Sequence, residues 1–136
     1  AAQPARPLTL VGSDRDPGAI RAAQANAERA GMADAIEFHC RELADLERPP
    51  RDPPGPPSRT GWVISNPPYG HRVTGELRGL YVTLGDVVRR LLPGWGVGLL
   101  VADDRLAAGT DLRLRPVFAT SNGGIRVRFL AGGSAS

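Results

Sequence analysis

Four short β-prone runs punctuate the chain: LTLVGSD at 8–14, AIEFHC at 35–40, GWVIS at 61–65 and VGLLVA at 97–102. Helical patterns between them constrain the fold more than any other feature, because parallel neighbours in a sheet need a long crossover between them. Asp16 followed by Pro17 reads as a helix start, a capping side chain and then a residue whose missing N–H costs nothing at the first position. That helix runs through AIRAAQANAERA to Gly31, a natural stop. Leu77, Leu80, Leu84, Val88 and Leu91 recur at helical spacing, and Pro93-Gly94 ends this second helix. Residues 116–121 and 125–130 flank Asn122-Gly123-Gly124, a hairpin turn. The order predicts an α/β fold with a mainly parallel sheet and an antiparallel C-terminal hairpin. One domain is expected over 1–131, with a proline-rich surface loop at 47–60 and a flexible tail at 132–136.

Composition narrows the class. With 136 residues, 41% hydrophobic and 23% charged, the chain reads as one soluble globular domain. No run reaches the roughly 18 to 20 apolar residues that cross a bilayer, so no membrane partner is expected. The opening AAQPARPLTLV has neither the basic region nor the apolar core of a signal peptide. A single cysteine, Cys40, suits a reducing compartment, and a cytoplasmic location is expected. The only methionine is Met32, so the chain reads as a fragment, a processed product or a trimmed piece.

All 17 basic residues are arginine, the signature of a GC-rich genome rather than of nucleic-acid binding. Their location says more. Residues 1–110 are balanced, and the net charge of +3 arises where Arg113, Arg115, Arg126 and Arg128 meet only Asp111. Arg126 and Arg128 alternate along a strand and share a face, which suits either a phosphate backbone or a solvated arginine surface.

Ligands in parallel α/β sheets collect at the carboxyl ends of strands. Asp14, the residues after Cys40, and the segment Ser65-Asn66-Pro67-Pro68-Tyr69-Gly70-His71 all fall at such ends. Pro67 and Pro68 stiffen the turn and remove two donors. What remains is a set of acceptors, the Asn66 side-chain oxygen and the Pro67 carbonyl, beside the flat ring of Tyr69. That set suits a planar molecule with an exocyclic amine. Its N–H groups meet the acceptors and its ring stacks, a contact worth about 1–3 kcal/mol per base. Asp14 closes its strand just before a helix, where a carboxylate can accept from both hydroxyls of a ribose or stand as a solvated turn acid. Glu42 can accept from an adenine amine or serve as a surface acid. Asp16 is explained as a cap. The GWGVG run at 94–98 follows a helix and precedes a strand, the reverse of a phosphate loop. His39, Cys40 and His71 lack metal-site spacing, so no metal is expected.

GSDRDPGAIRAAQANAERAG, IEFHCRELADL, SNPPYGHR, LYVTLGDVVRRLLPGW and SNGGIRVRFL, in that order, resemble class I S-adenosylmethionine-dependent methyltransferases. The nearer resemblance is to the C-terminal part of the catalytic domain of THUMP-containing bacterial rRNA guanine 2-amino methyltransferases. It implies an incomplete Rossmann-like fold, with the first strand and its glycine-rich acidic turn missing. It also implies S-adenosylmethionine as cofactor and RNA as partner, with Asp14 on the cofactor ribose, Glu42 near the adenine amine, and Asn66, Pro67, Pro68 and Tyr69 holding the target base. Asn66 would also border the cofactor. His71 stands where the family often has glutamate. A preceding region or a second chain is expected to complete the sheet, and the isolated chain to turn over poorly. NPPY is shared with adenine and protein-glutamine methyltransferases, and a non-catalytic remnant is the other alternative.

Overall fold

A computed structural model of the chain describes residues 9–48, 61–69 and 74–133. The proline-rich loop beyond Arg48, His71, and 134–136 of the expected tail lie outside these residues. The described residues belong to two compact units, Ala1–Pro50 and Arg51–Ser136.

The first unit holds β1 (Leu10–Asp14), α1 (Pro17–Arg29) and β2 (Ile36–Cys40). The two strands pair in parallel, Leu10 opposite Ile36 through Asp14 opposite Cys40. The sequence places the helix as expected: the Asp16 side chain accepts from Gly18 N at 3.0 Å, Pro17 follows, and Gly31 turns the chain out at φ +72°. Only Ile20 and Ala27 of the helix are buried. Two buried helix residues make a thin core for so small a unit.

The second unit contains β3 (Trp62–Ser65), α2 (Gly75–Leu91), β4 (Gly96–Val101), α3 (Asp104–Ala108), β5 (Arg113–Asn122) and β6 (Ile125–Gly133). Its strands form one sheet in the order β3-β4-β6-β5, with β3 parallel to β4 and both hairpin pairings antiparallel. Val97, Leu99, Val101 and Leu130 from the sheet, Tyr81, Leu84, Val87 and Val88 from α2, and Leu106 from α3 make the core. Gly85 brings α2 against the backbone after α3: a Cβ there would stand 1.9 Å from Thr110 O. Arg89 then reaches across with Nη1 to Thr110 O and Asp111 O.

Several expectations need correction. The hairpin strands are longer than read, and β6 includes Gly132 and Gly133, which the sequence assigns to the tail. Gly132 fits there because a Cβ would meet Arg113 O at 1.8 Å. The five-residue α3 was not expected; its Asp103 cap, accepting from Arg105 N at 2.8 Å, is the signal that reveals it. The apolar stripe of α2 is centred on Tyr81, Leu84 and Val88, while Leu77, Leu80 and Leu91 are half-buried.

Each unit's sheet keeps an open edge among the described residues. β1 and β3 are each hydrogen-bonded to one neighbour. Leu10 and Val11 on β1 are each 39% exposed, and Trp62 and Ile64 on β3 are 62% and 64% exposed. Unpaired rows of N–H and C=O beside exposed apolar side chains are a template for another strand.

Candidate methyl-transfer site

In the first unit, Asp14 ends β1 and Glu42 follows β2 by two residues. Because Asp14 is opposite Cys40 in a parallel register, both carboxylates stand at the same carboxyl edge. Arg41 N donates to Asp14 O at 2.9 Å and fixes the chain's exit. The Asp14 side chain is exposed, and its Oδ1 accepts from Asp16 N at 2.8 Å. That bond orients the carboxylate and leaves Oδ2 open, an acceptor that fits the hydroxyls of a ribose. Glu42 is exposed at the start of a short 3-10 turn, Leu43–Asp45, and its side chain makes no capping bond. Its neighbour His39 has Nε2 2.8 Å from Glu37 Oε1.

In the second unit, Asn66 follows the last residue of β3 directly. Asn66 and Pro68 are exposed, Pro67 is buried and Tyr69 is half-buried. The strand stops because two prolines cannot donate to a ladder, and burial of the first anchors the turn. The Tyr69 hydroxyl donates to Asn66 Oδ1. The sequence reading leaves this oxygen wholly free for substrate. The structure commits one of its two lone pairs to tyrosine and leaves the other. Asn122 Nδ2 in turn donates to Tyr69 Oη at 3.2 Å.

Tyr81, on α2, is almost fully buried. Burial pushes its phenol up to about 12, with further contributions from the nearby Tyr69 and Asp103. Tyr81 therefore stays neutral throughout the physiological range. Asp103, after β4, is held below the usual carboxylate range by hydrogen bonds from Arg105. Tyr81, Asp103 and Asn122 escape the sequence reading. A stripe of 77, 81, 84 and 88 fits helical spacing and would have found Tyr81. Asp103 carries the local signal of a helix cap, whereas the Asn122 contact spans 53 positions and leaves none.

The four C-terminal arginines do not form one strip. Directly opposed residues share a sheet face. Arg126 and Arg128 oppose Ser121 and Ala119, as expected on one face. A register shift between Pro116 and Phe118 puts Arg113 and Arg115, opposite Gly133 and Ala131, on the other face. Arg128 is paired with Asp104. A shallow cleft of about 280 Å³ opens beside them, lined by Val101, Asp104, Arg126 and Arg128 among others. Among the described residues, no helix is long and apolar enough to cross a membrane.

Known proteins match this chain over most of its length. A ribosomal RNA large subunit methyltransferase K/L from Shewanella frigidimarina is 36% identical over 124 residues, 90% of this chain and 16% of that protein. Its counterpart from Chromohalobacter salexigens is 40% identical over 124 residues, 89% of this chain and 16% of that protein. The chain thus spans about one sixth of the relatives it matches. The solved structure of SMU.472, described as a methyltransferase complexed with SAH, superposes with a TM-score of 0.75. It is 23% identical and is covered to 31% while covering 92% of this chain, so it shows the shared fold. A family model described as "RMKL-like, methyltransferase domain" matches residues 1–126, and the chain belongs to that family.

Proposed function

We propose that this chain supplies the ribose-binding carboxylate and the base clamp of an RNA methyltransferase. The reaction moves a methyl group from S-adenosylmethionine to the exocyclic 2-amino group of a guanine, in large-subunit rRNA, in the cytoplasm. The observation that carries the reading is the Asn66–Tyr69 turn: an exposed amide oxygen with one lone pair free, beside a half-buried aromatic ring, at the carboxyl end of a strand. Family membership and the names of the relatives support the same chemistry.

The cofactor supplies an electrophilic methyl carbon on a sulfonium sulfur. The remaining work belongs to the chain's own groups. Asn66 Oδ1 and the Pro67 carbonyl accept the two N–H bonds of the amine, which turns its lone pair toward the methyl carbon. The Tyr69 ring stacks on the base, taken out of its own stack. Asp14 Oδ2 accepts from the ribose, and Glu42 accepts from the adenine amine. Transfer would need no covalent enzyme intermediate: the amine would form the new C–N bond as the methyl–sulfur bond breaks, a neutral thioether would leave, and the surplus amine proton would pass to water. Poor turnover by the isolated chain belongs to the same reading, since the open edges of β1 and of β3 are each available to a further strand from a preceding region or a second chain.

Titration of the 15N-labelled chain with S-adenosylmethionine tests the cofactor half directly. Saturable shifts centred on Asp14–Asp16 and Arg41–Leu43, lost in Asp14→Ala, are expected. Saturable shifts of the same residues that persist in that variant would overturn the assignment of Asp14.

A further inference from the structure

The turn closing the β5–β6 hairpin is made by Gly123 and Gly124, at φ +59° and +83°, between the paired residues Asn122 and Ile125. A two-residue hairpin turn of this hand needs positive φ at both central positions, and two glycines supply it. Asn122 is the last residue of β5 and is not needed for the turn. Its amide is used elsewhere. Nδ2 donates to Tyr69 Oη at 3.2 Å, across 53 positions of sequence. The same hydroxyl donates onward to Asn66 Oδ1.

We propose that Asn122 is a positioning residue that sets the direction of the Asn122–Tyr69–Asn66 relay, and so decides which end of the Asn66 amide faces the tyrosine. The inference rests on reading Asn66 as the acceptor for the substrate amine. A phenol has one proton to give. While Asn122 donates to Oη, that proton is directed to Asn66, and the Asn66 carbonyl oxygen is held toward the ring with one lone pair left for substrate. The reverse relay is chemically complete as well. If the residue at 122 could only accept, the phenol would donate to it and accept from Asn66 Nδ2. The Asn66 amide would then be turned over, with a donor where the acceptor belongs. The hairpin tip thereby controls the polarity of a group presented by a different strand.

The test uses the side-chain amide spectrum of the 15N-labelled chain, which is sparse because the only asparagines are Asn26, Asn66 and Asn122. Asn122→Asp keeps the shape and removes the donor. It is expected to reverse the relay, so that one Asn66 Nδ2 proton becomes hydrogen-bonded and moves downfield. Adding Tyr69→Phe should abolish that shift, because the relay then has no middle member. Asn122→Ala, a second variant, should move the Asn66 resonances without the downfield signature. Backbone resonances of Thr120 and Val127, paired across the hairpin, report whether the strands are intact in each variant. Asn66 resonances that stay in place in both single variants overturn the proposal, as does a downfield shift that survives Tyr69→Phe. No cofactor or RNA is present, so a failure of the methyl-transfer reading would leave this result standing, and the reverse holds too.

Discussion

Two glycines of α2 should respond to the same substitution with opposite signs. At Gly85 an added Cβ would lie 1.9 Å from Thr110 O, 2.6 Å from its carbonyl carbon and 2.8 Å from its Cα. Relief needs a displacement of roughly 1 Å or more in a close-packed interior. The neighbour is backbone and cannot swing aside. Thr110 is fully buried, its hydroxyl donates to Ala107 O at 2.7 Å, and its carbonyl accepts from Arg89. Overpacking of this kind costs about 1–3 kcal/mol, with the upper half of that range expected where backbone must move. Replacing a helical glycine returns up to about 1 kcal/mol. Gly85→Ala should therefore destabilise by about 1–2 kcal/mol, and more if the Arg89 bonds are lost. At Gly79, exposed in the same helix, nothing lies within 4 Å of the added carbon. Gly79→Ala should stabilise by about 0.5–1 kcal/mol. Thermal unfolding followed by far-ultraviolet circular dichroism separates the two, at roughly 4 °C per kcal/mol for a chain of this size. A Gly85→Ala melting temperature at or above that of the unsubstituted chain would refute the close approach of α2 to Thr110.

Thr74 caps α2 by accepting from Leu77 N at 3.1 Å, so Thr74→Ala should cost about 1 kcal/mol in urea unfolding, and Thr74→Ser much less. The buried phenol of Tyr81 gives a pH signature. Its proton is held more tightly in the folded chain, from 10.0 to about 12, so its stabilisation is complete below pH 10 and lost as pH rises to about 12. The loss is at most about 3 kcal/mol. Denaturant midpoints across that window should fall less steeply in Tyr81→Phe than in the unsubstituted chain.

Local chemistry made much of the fold legible. Asp16-Pro17, Gly31 and Pro93-Gly94 act through their own backbones, and each helix end they mark is where the sequence puts it. The four strands before the hairpin were readable within a residue or two, whereas β5 and β6 run up to three residues further than the sequence places them. The Asn66-Pro67-Pro68-Tyr69 turn was legible because two prolines forbid continuation of the strand. What depended on register was not. The shift at Val117, opposite no residue of β6, divides the arginines between two faces, although composition alone groups them. The Asn122–Tyr69 bond joins residues far apart in sequence, and the glycines beside Asn122 already account for the turn. The open edges of β1 and β3 were foreseen from family resemblance rather than from periodicity, since an alternating strand pattern does not say how many neighbours a strand has.

The central claim is that the Asn66–Tyr69 turn directs a guanine amine toward a methyl donor. It is tested most directly by grafting this chain in place of the matching 124 residues of the Shewanella frigidimarina relative, so that it works within a full-length protein. The chimera is incubated with large-subunit rRNA and labelled S-adenosylmethionine, and the digested nucleosides are identified by mass spectrometry. The account predicts 2-methylamino guanosine, reduced at least about 100-fold in rate by Asn66→Ala, the scale seen when one polar contact to a developing charge is removed. Methylation on adenine, or guanine methylation indifferent to Asn66, would contradict it.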